Sequence, residues 1–276
     1  MANIFISYGD NRYYESVRRV SRQARKMRIF DKVIAYTEKD LPKFITTSPL
    51  FQYKRGGGYW LWKPWIILET MKNSKSNDVI FYVDAGCSLN GNSKEWADFI
   101  QLMENHSGIF FQYRDADTYP AWVHVCLNAK NYSSKIKHWT KPLCRRFLQS
   151  YFSDDSHENY RSIWAGACII KNDKFGVSLV QEWFDMMYEH PEIVRDMEED
   201  ELMESVDYLN AHRHDQAVLT SLVFYRKDYC NFMVIPETSE SQKDKAAIRA
   251  DRFIQDKLTG IQYLKYRIME CIDSSK

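Results

Sequence analysis

The stretch Asp78-Val-Ile-Phe-Tyr-Val-Asp84 decides the fold, because it has the pattern of a fully buried β-strand. The run from Val79 to Val83 is entirely apolar or aromatic, which is typical of a strand covered on both faces. Open parallel sheets bind ligands beyond the carboxyl ends of their strands, so we expect Asp84 to face a ligand. Gly86, two residues on, lets another group approach the backbone closely.

The N-terminal segment predicts a β-α-β unit. Asn3–Tyr8 is a short apolar run that ends in Gly9 and Asp10, as a buried strand and its turn would. Residues Asn11–Met27 carry apolar positions at helical spacing, and Lys32–Thr37 forms a second strand. Such a unit is the building block of a mostly parallel sheet with right-handed crossovers.

The rest of the chain continues this alternation. We expect helices at Pro64–Met71, Ser93–Glu104 with Ser93 as N-cap, Phe175–His190 and His214–Tyr225, and strands at Gly108–Tyr113, Arg161–Lys171 and Phe232–Ile235. Short helices and loops are expected over Ala116–Ser156, and a solvated acidic surface over Glu198–Glu204. The polar stretch after Ile170 is a third strand end that could face a ligand. The prediction is one α/β domain with a mixed, mostly parallel sheet flanked by helices.

Composition excludes several classes of protein. Lys and Arg number 38 and Asp and Glu 37 among 276 residues, so no overall charge attracts nucleic acid. No stretch reaches the roughly 18 apolar residues of a membrane span, and no secretory signal is visible at the N-terminus. The six cysteines are scattered without a C-x-x-C pair, which favours reduced thiols and a cytoplasmic location.

The C-terminal segment, residues 241–276, mixes basic and apolar positions. We expect residues 1–240 to form the main domain and 241–276 a helical segment packed on it. The alternative is peripheral contact with the anionic inner surface of a membrane, where lipid-linked acceptors reside. Asp244, Asp251 and Asp256 dilute the basic signal, which favours packing.

Two further motifs could carry chemistry. In His212-Arg213-His214-Asp215-Gln216, His214 could ligate a metal or donate to a phosphate at a helix N-terminus, or Asp215 could simply cap the helix. In Trp60-Leu61-Trp62-Lys63-Pro64, Lys63 could pair with a diphosphate and a tryptophan could stack on a base or sugar, or both tryptophans could belong to the core. The spacing of a P-loop is absent.

The order of these motifs resembles a group of bacterial GT-A-type glycosyltransferases from polysaccharide, capsule and O-antigen clusters. The resemblance runs from about Asn3 to Ile235 and rests on four motifs in order: Gly-Gly-Tyr-Trp-Leu-Trp-Lys-Pro, Val-Ile-Phe-Tyr-Val-Asp-Ala-Gly-Cys, Trp-Ala-Gly-Ala-Cys-Ile-Ile-Lys and Arg-His-Asp-Gln-Ala-Val. It implies a Rossmann-like GT-A fold. It also implies transfer of a sugar from a nucleotide-diphosphate sugar, a UDP-sugar first of all, to a saccharide or lipid-linked acceptor in surface polysaccharide synthesis.

The resemblance also implies a set of site residues. GT-A enzymes hold Mn²⁺ or Mg²⁺ through an Asp-x-Asp motif, of which Asp84 is the first position, whereas Gly86 replaces the second carboxylate; His214 would complete the metal shell. The implied nucleotide-sugar contacts are Ser7, Tyr8, Asp10, Trp62, Lys63, Asp84, Ala85, Gly86, Ala165 and Gly166. An inverting enzyme would use Asp215 as base, with Asp207 or the Glu198–Glu201 cluster as alternatives. A retaining enzyme would instead place Gln216 at the reactive face of the donor.

Two other functions fit the same residues. A sugar nucleotidyltransferase shares the fold class, but it usually opens with a Gly-rich basic loop after the first strand, and Gly9-Asp10-Asn11-Arg12 contains a single glycine. A non-catalytic carbohydrate- or nucleotide-binding module would use the aromatic residues for binding and Asp84 for structure. Release of UDP from a UDP-sugar separates the transferase from a binding module, which releases none.

Overall fold

The structure, a computed structural model, describes residues 1–114, 133–203, 207 and 209–251. Its strands are β1 Asn3–Tyr8, β2 Lys32–Tyr36, β3 Val79–Val83, β4 Ser88–Leu89, β5 Gly108–Gln112, β6 Ile163–Lys171, β7 Phe232–Pro236 and β8 Ile248–Arg249. Its helices are α1 Tyr14–Met27, α2 Lys43–Thr46, α3 Trp62–Lys72, α4 Glu95–Asn105, α5 Pro142–Phe152, α6 Lys174–Glu189, α7 Pro191–Val194, α8 Glu199–Met203 and α9 His214–Cys230.

Six strands form one sheet in the order β2-β1-β3-β6-β5-β7, and β4 pairs with β8 in a small second sheet. Strand β1 is parallel to β2 and β3, and β5 is parallel to β7. Strand β6 runs antiparallel to both of its neighbours, β3 and β5. The predicted mixed, mostly parallel α/β sheet is therefore confirmed.

Alternation along the strands divides the core into two layers, one on each face of the sheet. In β3, Ile80 and Tyr82 face the layer that contains α3, α6 and α9, whereas Phe81 and Val83 face the layer that contains α1 and α4. This is the period of two expected of a strand buried on both faces, and every residue of β3 is buried. The sequence reading of Asp78–Asp84 as a central buried strand is confirmed.

The ends of several predicted elements move by a few residues. Helix α1 begins at Tyr14 rather than Asn11, because Asp10 turns the chain first and accepts the backbone N–H groups of Arg12 and Tyr13. Helix α4 begins at Glu95 with Lys94 at its N-cap position, so the prediction of Ser93 as N-cap is wrong. The Ser93 hydroxyl instead donates to the Lys245 carbonyl. Ser93 therefore joins two distant segments in addition to preceding the helix.

The antiparallel direction of β6 corrects one prediction. The carboxyl end of β6, after Ile170, lies at the opposite edge of the sheet from the carboxyl ends of β1 and β3. There the Asn172 amide donates to the Met71 and Lys75 carbonyls, which ties the strand to the end of α3. The polar stretch after Ile170 is therefore structural, and the amino end of β6, at Ile163, lies at the ligand-binding edge.

The acidic stretch Glu198–Glu204 is not uniformly solvated, which corrects a second prediction. Its described part contains α8, and the Glu201 carboxylate is buried between the Lys141 ammonium and the Arg195 guanidinium, each at 2.9 Å. Burial opposes the charge on Glu201, but its hydrogen bonds and these two cations lower the pKa of its carboxyl below the usual range. The stretch is thus anchored through Glu201.

The described part of the C-terminal segment, residues 241–251, consists of turns followed by the two-residue strand β8. Residues Ile248–Arg249 pair antiparallel with Ser88–Leu89, and Ile248 is buried in the layer that contains α4. The helix predicted further along lies at residues 252–276, outside the described residues. Positions 116–132 of the predicted middle segment also lie outside the described residues.

Two further predictions concern the state of the cysteines and the presence of membrane-spanning segments. In the described ranges, Cys87, Cys144, Cys168 and Cys230 are buried free thiols, as expected of small apolar side chains. No helix within the same ranges has both the length and the apolar character that a bilayer crossing requires.

Candidate active site

A cleft of about 460 Å³ opens at the carboxyl edge of β1 and β3. Six of the predicted contact residues line it: Tyr8, Asp10, Trp62, Asp84, Ala85 and Gly86. The predicted residues that do not line it are Ser7, Lys63, Ala165, Gly166, His214, Asp215 and Gln216. Two residues of the predicted motifs, Trp60 and Trp164, also line it. Its other walls include residues that were not predicted from the sequence, namely Arg12, Lys54, Arg55, Glu240 and Ala250.

A larger groove of about 800 Å³ lies at the opposite edge of the sheet, along α6. Asn172 and Asp173 lie in its wall, and Asp173 is occupied as the N-cap of α6. None of the predicted site residues lines this groove. The smaller cleft is therefore the candidate active site, because it lies where parallel sheets bind ligands.

Asp84 projects from the end of β3 into the cleft, with about a third of its side chain exposed. The buried Tyr82 hydroxyl donates a hydrogen bond to its Oδ1 atom, and the Lys63 ammonium lies 3.6 Å from the same atom. The Asp84 backbone N–H donates to the Gly166 carbonyl at 2.8 Å. The carboxylate is thus fixed on one side and presents its other oxygen to the cleft.

Lys63 lies beneath Asp84 rather than in the cleft. It is on the first turn of α3, and its ammonium donates to Asp215 Oδ2 at 2.7 Å and to the Ala165 carbonyl at 3.0 Å. Burial opposes its charge, but Asp215 and Asp84 together raise the pKa of the Lys63 ammonium. A permanently charged lysine therefore joins two carboxylates.

Asp215 is almost fully buried, with 7% of its side chain exposed. Burial raises the pKa of its carboxyl, and the neighbouring Lys63 counteracts part of this rise. The next residue, Gln216, is half-buried and also lies outside the cleft wall. Asp215 is therefore better placed to hold Lys63 than to accept a proton from an acceptor hydroxyl.

A bulge in β6 builds the floor of the cleft. Phe110 pairs with Cys168, and Gln112 pairs with Ile163. An advance of two residues along β5 therefore corresponds to five residues along β6. The bulge turns the Ala165 carbonyl toward Lys63 and places Trp164 in the cleft wall. Bulges beside active sites commonly redirect side chains in this way. Ala165 and Gly166 thus act through their carbonyls, as acceptors for Lys63 and the Asp84 N–H.

The Gly166 position depends on having no side chain. A Cβ atom there would lie 2.5 Å from the Trp164 ring, a separation that real structures do not contain. The Trp164 ring also packs against Phe111 with a centroid distance of 6.2 Å. Gly166 therefore allows Trp164 to reach the cleft wall from within the bulge.

Aromatic side chains cover the other side of the cleft. The Tyr8 and Trp62 rings stack with a centroid distance of 4.0 Å, and the Trp62 indole N–H donates to the Gly56 carbonyl. Burial, with help from Asp10, raises the pKa of the Tyr8 hydroxyl. Ser7, the neighbour of Tyr8, is completely buried within the sheet. Tyr8 and Trp62 are thus core residues whose edges also form the cleft wall.

The segment Gly56–Trp60 makes a left-handed helical turn beside these rings. Its φ angles are +58°, +56°, +86°, +52° and +62°, and the Trp60 N–H donates to the Gly56 carbonyl at 3.1 Å. Glycine adopts this conformation freely, but Tyr59 and Trp60 do not. The Tyr59 hydroxyl donates to Asp196 Oδ2 at 2.9 Å, which helps to hold the strained part of the turn.

His214 supports this turn from below. Its ring contacts Tyr59 and Trp60 with centroid distances of 4.9 and 5.6 Å, and its Nδ1–H donates to the Val194 carbonyl at 2.6 Å. Burial lowers the pKa of His214 to about 4, so the ring is neutral near pH 7. His212 is buried next to it and donates from Nε2 to the Ile193 carbonyl. Both histidines anchor the chain around α7.

The residues expected to hold a divalent cation do not fit one in this arrangement. Asp84 offers one outward oxygen, Gly86 offers no side-chain ligand, and His214 does not line the cleft. No group of three His, Cys, Asp or Glu side chains within the described ranges could hold a metal ion. The charged Lys63 ammonium beside Asp84 also repels a second cation at that carboxylate. The metal site of Asp84 and His214 therefore stays a prediction without support from the geometry.

Two groups of residues near the cleft were not predicted from the sequence: Arg19, and the pair Lys54 and Arg55. Arg19, in the middle of α1, is buried and donates from Nη2 to the Ala85 and Cys87 carbonyls, which fixes the loop after Asp84. Lys54 and Arg55 directly precede the three glycines, and this adjacency is the signal that could have identified them. Nothing in the sequence around Arg19 distinguishes it from the other arginines of an amphipathic surface helix.

Comparisons with known proteins agree with this architecture. No protein-family model matches the chain, and no curated protein matches its sequence. Among solved structures, the chain is similar to a glycosyltransferase involved in glycosylation of the major capsid of PBCV-1, with a TM-score of 0.50, 12% identity and coverage of 90% of this chain and 93% of that one.

Two further structures match with lower TM-scores. Mouse xyloside xylosyltransferase 1 has a TM-score of 0.42, 9% identity and coverage of 84% of this chain and 85% of that one. The galactosyltransferase LgtC, solved with donor and acceptor sugar analogs, has a TM-score of 0.39, 9% identity and coverage of 84% and 72%. At such identities a likeness reports the fold and not the activity. The sheet, its flanking helices and the first of these comparisons show that the chain has the fold of the GT-A glycosyltransferases.

Proposed function

We propose that the chain is a glycosyltransferase that takes a sugar from a nucleotide-diphosphate sugar, with UDP-sugars as the first choice of donor. The acceptor in this proposal is a saccharide or lipid-linked glycan of surface polysaccharide synthesis, and the enzyme works at the cytoplasmic side of the membrane. The observation that carries the proposal is the position of Asp84, which is held by Tyr82 and Lys63 at the cleft of a GT-A fold.

The size and lining of the cleft support this proposal. Its volume falls within the range of about 300–1,000 Å³ that is usual for small-molecule sites. Trp60, Trp62 and Trp164 supply aromatic surface for a base or a sugar ring, and Asp84 supplies an acceptor for hydroxyl groups. A mixed aromatic and carboxylate lining of this kind suits a polar ligand with apolar faces.

Transfer requires the bond between the sugar and the diphosphate to break. Positive charge then develops on the sugar and negative charge on the leaving diphosphate, and groups already oriented in the site stabilise both. The oriented Asp84 carboxylate is available on the sugar side. Since Asp215 is buried against Lys63, we favour for it the role of keeping the floor of this site charged and ordered.

The test is release of the nucleotide from a panel of UDP-, GDP-, CMP- and dTDP-sugars, with simple saccharides as acceptors. We expect one donor class to be consumed, and Asp84→Asn to lower the rate by about 10²–10³-fold, as removal of one oriented polar group does in other enzymes. The matched control is Asp98→Asn, which changes an exposed aspartate on α4 and should retain the rate. Absence of release with every donor, or equal rates for Asp84→Asn and wild type, would count against the proposal.

A further inference from the structure

The cleft contains a set of cations that the predicted chemistry does not use. Arg12, Lys54 and Arg55 all line it, next to the left-handed turn Gly56–Trp60. The Arg12 guanidinium donates to the Lys54 carbonyl at 2.9 Å, so the end of β1 and the start of the turn are joined. The three side chains therefore belong to one wall of the cleft.

These cations are weakly committed to protein partners. The Lys54 side chain is exposed and makes no ion pair within the described ranges. The Arg12 Nη2 atom lies 3.5 Å from Asp10 Oδ2, and the Arg55 Nη1 atom lies 3.0 Å from Asp196 Oδ1. About half of each arginine side chain is exposed. Exposed pairs of this kind contribute little to stability, so a strongly charged ligand can replace them.

The acidic residues of the cleft restrict where an anion can lie. Asp84, Glu240 and Asp10 line it as well, and a diphosphate next to an unpaired carboxylate would be repelled. Of these three, Asp10 is paired with Arg12, at 3.5 Å between Oδ2 and Nη2. Lys63 does not offset this repulsion, because it is buried and shared between Asp84 and Asp215. The wall of Arg12, Lys54 and Arg55 is the part of the cleft that attracts an anion. Arginine in particular matches phosphate oxygens with two parallel hydrogen bonds.

We infer that Arg12, Lys54 and Arg55 bind the diphosphate of the donor directly, in place of a divalent cation at Asp84. The inference rests on the proposed function, since the donor is taken to be a nucleotide-diphosphate sugar. In this arrangement the arginine and lysine side chains neutralise the leaving diphosphate, and Asp84 is left to face the hydroxyl groups of the sugar. It also accounts for the lack of a second carboxylate at Gly86.

The experiment measures binding of UDP, GDP, dTDP, uridine and inorganic pyrophosphate by calorimetry, once in EDTA and once with Mn²⁺. We expect one nucleoside diphosphate to bind equally well under both conditions. Arg12→Gln, Lys54→Gln and Arg55→Gln should each weaken it by about tenfold, the usual effect of losing one charge-assisted contact. Lys54→Arg, which keeps the charge, should bind as wild type does, and so should Lys72→Gln, which changes an exposed lysine at the far end of α3.

Asp84→Asn gives a second, independent readout. If a metal at Asp84 held the diphosphate, this change would weaken nucleotide binding in Mn²⁺. Direct binding by the cations predicts that affinity in EDTA is unchanged or rises, because one negative charge leaves the cleft. Thermal unfolding of each variant verifies that it is folded before its affinity is compared.

The outcomes separate the inference from the proposed function. Binding that requires Mn²⁺, or glutamine variants that bind as tightly as wild type in EDTA, overturns the inference and leaves the transferase proposal standing. Pyrophosphate binding that the glutamine variants lose, without binding of any nucleotide, keeps the anion site and removes the transferase. Absence of binding by every anion, with and without Mn²⁺, overturns both.

Discussion

The Lys63 ammonium is a charge buried beneath the cleft, and it is stable there because two carboxylates and one carbonyl surround it. Removing a charge from water is costly, and a close partner compensates only when the geometry is good. At 2.7 Å the contact of Lys63 with Asp215 meets this condition, and Asp84 adds a second, longer contact. The stability of the folded chain and the orientation of Asp84 therefore depend on the same side chain.

Replacing Lys63 with methionine tests this dependence at the level of one residue. Lys63→Met fills a similar volume but leaves Asp215 as a buried carboxylate without its cation. We expect the free energy of unfolding to fall by about 3–5 kcal/mol, as when one partner of a buried pair is removed. Urea denaturation followed by circular dichroism measures the change.

A double variant gives the control for this experiment. In Lys63→Met with Asp215→Asn, no fully buried charge lacks a partner, because the remaining carboxylate, Asp84, is about a third exposed to water. Most of the lost stability should therefore return. The difference between the single and double variants isolates the interaction of the two residues. If Lys63→Met alone were as stable as wild type, the charge on Lys63 would not be bound to Asp215 in the manner described.

The positions of individual side chains at the cleft could be predicted only where the neighbouring sequence determines them. Tyr8, Asp10 and Asp84 were found because they end predicted strands, and strand ends of a parallel sheet meet at one edge. The ion pair of Lys63 with Asp215 could not be predicted from the sequence, because the two residues are 152 positions apart and only the folded sheet brings them together. Ala165 and Gly166 act through their carbonyls, which side-chain chemistry does not reveal.

At the scale of elements, the left-handed turn Gly56–Trp60 has the greatest influence on the cleft. Each residue in this conformation other than glycine costs about 1–2 kcal/mol, so the turn depends on the three glycines and on contacts of the two aromatic residues. Gly58 has the highest φ, +86°, and a Cβ there would lie 2.9 Å from the Phe51 Cα atom. A Cβ atom at Gly57, where φ is +56°, would make only ordinary contacts, with the Trp62 ring from 3.4 Å and with the Asp10 carboxylate at 4.0 Å.

Alanine substitutions separate strain from crowding in this turn. Gly57→Ala should lower the free energy of unfolding by about 1–2 kcal/mol through backbone strain alone. Gly58→Ala should cost clearly more, because backbone atoms of Phe51 must also move. Gly91→Ala is the control, with only the flexible Met27 side chain near its Cβ, and should stay within about 0.5 kcal/mol of wild type. Equal losses for Gly57→Ala and Gly58→Ala would contradict the packing of Gly58 on Phe51.

The apolar periodicity of the sequence predicted the long helices and strands but not the short ones. Strands β1 and β3 and helices α6 and α9 carry enough repeats of an apolar pattern to be located within a few residues. Three consecutive glycines indicate a flexible approach but not the hand of the turn. In the folded chain the His214 ring packs on Trp60 and the Trp62 indole N–H donates to the Gly56 carbonyl, and both partners are distant from the glycines or follow them in sequence. Strands β4 and β8 contain two residues each, too few for any pattern.

At the scale of the whole molecule, the direction of β6 determines which side chains reach the cleft. An all-parallel sheet would bring Asn172 and Asp173 to the ligand edge, whereas the antiparallel β6 brings Trp164 there instead. The apolar run Ile163–Ile170 is equally compatible with both directions, because its residues are buried on both faces. The choice depends on contacts along the full length of β3 and β5, which local sequence does not encode.

The segment that contains β8 packs on the side of the sheet that α4 covers. We therefore expect this segment to contribute to the stability of the whole domain. Ile248 is buried, the Ala247 N–H donates to Glu95 Oε2 at 2.7 Å, and Ala250 lines the cleft. Since Ile248 contributes to the same apolar layer as Trp96, it should stabilise the main domain although it follows the last strand of the large sheet.

Ile248→Ala should therefore lower the free energy of unfolding by about 2–4 kcal/mol, the usual cost of removing most of a buried aliphatic side chain. The control is Val177→Ala on α6, where the side chain is exposed and the change should stay within about 0.5 kcal/mol. Both are measured by urea denaturation with one tryptophan-fluorescence and one far-ultraviolet probe. Coincident transitions of the two probes show that the chain unfolds in one cooperative step, so that the two variants can be compared by their free energies of unfolding. An Ile248→Ala variant as stable as wild type would mean that the main domain does not depend on this segment.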